Sequence, residues 1–71
     1  MSREVAREII DMALRQGAEQ DATLARIRES CSDEDFVFYR RMIGKCMGAV
    51  LLEVVNPLVE RYPDLKPPAL D

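Results

Sequence analysis

Cys31 and Cys46 are the two thiols of this 71-residue chain, and the chain contains no histidine. A thiol becomes a nucleophile as the thiolate, which a neighbouring base or cation must favour. Lys45 is adjacent to Cys46 in sequence, but no imidazole is available, so both cysteines read as small structural residues. Acid–base work would fall to carboxylates, lysine, tyrosine or cysteine. The one dense acidic group is Asp33, Glu34 and Asp35, in the stretch "SDED". A helix start explains it fully: Ser32 caps, and the three acids face the positive end of the helix dipole. There is no CxxC pair and no calcium-loop spacing. The expectation is a protein without metal, without cofactor and without catalytic residues, and therefore not an enzyme.

Basic residues offer a second kind of chemistry. "YRRMIGK" brings Arg40, Arg41 and Lys45 together, with Arg41 and Lys45 one helical turn apart. This is a patch for a further partner, either an acidic protein or a nucleic-acid backbone. A helix-turn-helix reading would make the segment from 33 onward the recognition helix. That helix would open with three acids, where phosphates require the opposite sign. The net charge of −3 also argues against a strongly basic binder. Nucleic acid is therefore an unlikely partner, and an accessory or transcriptional regulator using this patch is the alternative to a protein-interaction role.

The elements that carry these residues are all helical by pattern. No alternating apolar–polar run and no Asn-Gly or Asp-Gly hairpin occurs. Helix one is expected over about 2–16, capped by Ser2 and ended by Gly17. Helix two is expected over 21–31, with Asp21 as cap and Leu24, Ile27 and Cys31 on one side; one helix running through Gly17 is the competing reading. Helix three is expected over 33–55. A short helix over 57–62 follows, with Asn56 capping and Pro57 in the first turn, against a kinked continuation through Pro57. Residues 63–71 read as an extended tail whose apolar anchors are Tyr62, Leu65 and Leu70. It either docks as a strap on the protein's own dimer, is offered to a second protein, or is a frayed end without a role.

On a wheel of about 100° per residue, helix three has two apolar faces. Phe36, Tyr39, Ile43, Cys46, Met47, Val50 and Val54 form an ordinary core face. Val37, Gly44, Gly48, Leu51, Leu52 and Val55 form a second, offset by about 120°. A glycine inside a helix costs about 1 kcal/mol relative to alanine, so two on one face imply a compensating close approach. The first two helices, about 22 Å and 16 Å long, match only one side of a helix of about 33 Å.

A domain this small buries only about 60% of the surface its unfolded chain exposes. With no disulfide framework and no metal, a partner chain is the remaining remedy. Each large side chain on the second face contributes about 1.5–3 kcal/mol when covered. The sequence therefore predicts a single all-α domain, a three-helix chain that forms a helical bundle as a homodimer. The predicted interface is Val37, Gly44, Gly48, Leu51, Leu52 and Val55. Nothing in the chain approaches about 18 uninterrupted apolar residues, and "MSREVAREII" lacks the pattern of a secretory signal. The expected setting is a reducing cytoplasm with both thiols free and no membrane. The expected role is protein–protein interaction, as an adaptor, a chaperone-like binder or an assembly subunit.

Overall fold

In the computed structural model, which describes residues 2–68, two long helices lie antiparallel as a hairpin. Helix α1 spans Arg3–Ile27. A 3-10 turn, Arg28–Ser30, leads through extended Cys31 to helix α2, Asp33–Val50. A π turn, Leu51–Val55, joins α2 without a break to helix α3, Asn56–Arg61. A last 3-10 turn, Pro63–Leu65, returns the chain towards α1.

Of the four expected N-caps, Ser2, Asp21, Ser32 and Asn56, those at Ser2 and Ser32 form. Ser2 Oγ accepts from the Val5 amide at 3.2 Å, and Ser32 Oγ accepts from the Asp35 amide at 3.1 Å. These bonds satisfy donors that the first helical turn would otherwise leave open.

In the order of its elements the structure departs from the sequence reading in three places. No break occurs at Gly17, so the helices expected over 2–16 and 21–31 are one helix, and the three-helix count becomes two long rods. Gly17 keeps a negative φ, and Asp21 lies inside α1. Strong helix formers on both sides, from Ala13 to Gln16 and Ala18 to Gln20, offset the cost of a single glycine.

Pro57 neither stops the helix nor restarts it. Asn56 has helical φ and ψ of −60° and −45°, and its amide reaches back five residues to the Leu51 carbonyl. An α turn would set the proline ring, which has no N–H, against the carbonyl four residues earlier. The wider π turn absorbs the mismatch and lets the rod continue.

Residues 63–68 do not extend away as a tail. Pro63–Leu65 turns back, and Leu65 and Pro67 are buried. Leu65 packs with Ala6, Ile10 and Leu58, surrounded by Ile9, Val54, Val59 and Tyr62. Leu70, the third expected anchor, lies outside the described residues. Arg3 clasps the strap by donating through Nε to Asp64 Oδ2 at 2.7 Å, with Nη2 on the same oxygen.

The core is therefore small and sits at the end of the hairpin that carries both termini. It comprises Ala6, Ile10, Ala13, Val55, Leu58 and Leu65, and α2 itself contributes no buried residue. The body measures 45 × 21 × 17 Å. Its radius of gyration, 14.4 Å, exceeds the value of about 11 Å for a compact domain of this length.

Leu65→Ala is expected to destabilise the fold by about 2–3 kcal/mol, measured by urea unfolding, although the residue lies beyond the last long helix. The hydrogen bond from Arg3, helped by the charges of Arg3 and Arg7, holds the Asp64 carboxyl below its ordinary value of 3.8 against a small opposing dehydration. A carboxyl whose folded value is lowered contributes stability at neutral pH and loses it as pH falls through that value. An NMR titration of the Asp64 carboxyl carbon should give a midpoint below 3.8, moving upward in Arg3→Ala.

Candidate functional site

Two helices side by side touch along one line, so each rod retains two flanks, and here both sides of the hairpin are apolar. On one side, α1 presents Leu14 and Ala18, and α2 with its π turn presents Val37, Gly44, Gly48, Leu51 and Leu52. On the other, α1 presents Val5 and Met12, and α2 presents Phe38, Tyr39, Met42 and Cys46. Leu52 is 67% exposed and Phe38 58%. Exposed apolar area on this scale is unusual in so small a domain.

The expected interface residues do not all lie at the surface. Val55 is only 1% exposed and is buried inside the chain, beside Ala13 and Leu14. The π turn accounts for this. One extra residue in the turn sets back the helical phase by up to about 100°, carrying Val55 off the flank and onto the core side. Leu51 and Leu52, at the start of that turn, stay outside. A Cβ built at Gly44 or at Gly48 would meet nothing within 4 Å. No side chain of α1 uses the space these glycines open, so within one chain their cost in helix stability brings no packing.

Three hollows line the two faces. On the glycine face, one of about 350 Å³ lies among Gly48, Leu51, Leu52, Asn56, Val59 and Lys66. A second, also about 350 Å³, opens between the rods, with Leu14, Gly17, Met47, Val50 and Leu51 in its wall. On the opposite face a groove of about 530 Å³ runs between Gln16, Glu19, Gln20 and Thr23 of α1 and Tyr39, Met42 and Ile43 of α2. The Phe38 and Tyr39 rings pack edge to face beside it, with centroids 5.9 Å apart. Phe38 and Met42 were absent from both apolar arcs of the sequence reading, because Lys45 and Glu53 lie within the same strip of the wheel.

The basic patch is divided. The Arg40 guanidinium lies 5.9 Å from the Phe36 ring, and Arg28 lies over the same ring at 5.1 Å. Arg41 and Lys45 are exposed on the outer side of α2. Arg28 thus joins Arg40 at the loop end of the hairpin, a cation–π contact between segments that sequence spacing does not reveal. Among the described residues no three His, Cys, Asp or Glu side chains form a group able to hold a metal.

The continuous rod Asp33–Arg61, 29 residues long, is by length and composition apolar enough to cross a membrane. Its most apolar 18-residue window has a mean hydropathy of 1.5, and 6% of that window is buried. The absence of an unbroken apolar run had argued otherwise, since Lys45 and Glu53 interrupt residues 42–55.

Cys46, assigned by the wheel to the core face, is exposed, while Cys31 is half-buried. Helix α1 covers only a narrow stripe of α2, and Cys46 lies at the edge of the expected arc, beyond it. Under native conditions Cys46 should react with a chromogenic disulfide reagent in a fast phase and Cys31 in a slower one, with one equivalent of thiol in each. No protein-family model, no curated protein and no solved structure matches the chain.

Proposed function

We propose that this chain is a small protein-interaction module that works as a homodimer in a reducing cytoplasm, as an adaptor or assembly subunit. The observation that carries this reading is the surface of the single hairpin. It exposes 5483 Å², whereas a compact monomer of 8.1 kDa exposes about 4,500 Å². Two copies merged into one compact body would expose about 7,500 Å², so about 3,500 Å² would enter the interface. That lies within the range of obligate dimers, roughly 2,000–5,000 Å². Two hairpins stacked in this way make a four-helix bundle, in which each rod gains the neighbours it lacks alone.

A bilayer is the other environment that could cover so apolar a rod, and insertion energetics oppose it. Ile43, Val50, Leu51, Leu52, Val54, Val55, Leu58 and Val59 would together favour insertion by about 2.5–5 kcal/mol. Lys45 and Glu53 would oppose it by about 5–7 kcal/mol, and Asn56 and Pro57 add to that cost. In a dimer both charges can remain at the rim, in water.

Sedimentation equilibrium should give a mass twice 8.1 kDa down to low micromolar concentration, with an unfolding midpoint that rises with protein concentration. A fully folded 8.1 kDa species at those concentrations would refute the dimer.

A further inference from the structure

We infer that the second copy seats on the glycine face, with Leu52 of each copy entering the hollow beside Gly48 of the other. This rests on the dimer proposed above and names the surface and the contact that build it. A two-fold dimer uses the same patch on both chains, so projection and recess must lie on one face. They do here. Leu52 is 67% exposed, and a recess of about 350 Å³ opens between Gly48, Leu51, Asn56 and Val59. The recess floor is free, because a Cβ on Gly48 would meet nothing within 4 Å. Leu51 also borders the adjoining hollow of about 350 Å³ between α1 and the π turn, so the apolar strip continues across the hairpin. Leu14, 41% exposed, lies in that second hollow and extends the strip onto α1.

The opposite face fits a copy of this chain less well. Its groove has one wall of Gln16, Glu19, Gln20 and Thr23. Covering that wall with the aliphatic and aromatic side chains of the same face would strip water from amides and a carboxylate without supplying partners. The glycine face places Asn56 and Lys66 at the rim of its recess, and Gln16, Gln20 and Asp21 border the adjoining, otherwise apolar hollow. Half of the interface area estimated above, about 1,750 Å², is what one such face must supply on each chain.

The test uses the full chain and sedimentation equilibrium, with circular dichroism as the measure of fold. Leu52→Ala truncates a side chain that is 67% exposed, and Gly48→Leu fills the recess of its own chain. Each should raise the dimer dissociation constant at least about tenfold with helical content retained. Met42→Glu, on the opposite face, should leave the dimer intact. Should Gly48→Leu fail to fold, Leu52→Ala still carries the test. A wild-type dimer that Leu52→Ala leaves unchanged and Met42→Glu dissociates would overturn the glycine-face seat while leaving the dimer reading in place. A wild-type chain that stays monomeric yet binds phosphatidylcholine vesicles would overturn both.

Discussion

Two helices packed side by side share a single line of contact, and everything else about this protein follows from that. A third element is needed to enclose a core, and in this chain it is the short strap after Arg61. Leu65 reaches Ala6, Ile10 and Leu58, but only at the end where the termini meet. Over the rest of their length the rods touch and enclose nothing, so α2 contributes no buried residue despite being the most apolar helix. The bare flanks are the geometric consequence of building a hairpin from helices whose apolar arcs exceed one stripe.

The π turn links the core to the exposed face. Continuation through Pro57 requires that the preceding turn widen, and widening shifts the phase of everything after it. Val55 thereby turns inward, and Leu58 follows with a contact to the strap. Leu51 and Leu52, which precede most of the shift, remain outward. One proline thus divides the apolar residues of the turn, with Leu51 and Leu52 facing solvent and Val55 facing the core. Asn56 and Val59, on the far side of the turn, then help to form the recess next to Leu52.

What the sequence reveals and what it conceals divide along local and non-local physics. Ser2 and Ser32 are legible as caps because each bond spans three residues. All-α character is legible because the 3.6-residue period runs from end to end. The break at Gly17 is a misreading of a different kind: glycine ends helices only when its left-handed conformation is needed, and here the flanking residues hold it in the right-handed one. Tyr62 and Leu65 are legible in "RYPDLKPPALD" as anchors of a strap, but where the strap docks is not, since that depends on Arg3 and Ile10, more than fifty residues away. The wheel failed at Val55 for a geometric reason, because a constant 100° per residue does not survive a π turn. Phe38 and Met42 were obscured by the charges beside them, though the backbone leaves them as bare as the glycine face.

A layer that is apolar on both sides sets a limit on its own assembly. If each face took a copy of the same chain, the hairpins would stack face on face, and because the faces point in opposite directions the stack would never close. A closed assembly requires that only one of the two be self-complementary. Glu19 and Thr23, which border only the groove on the aromatic side, supply that difference, since burying them against a like surface is costly while Tyr39 and Met42 stay accessible. The glycine face shares Gln16 and Gln20 and adds Asp21 at its second hollow, so the two faces differ in degree. In the proposed dimer, that difference between two apolar faces, set by a few polar residues on α1, would favour a closed pair over a filament.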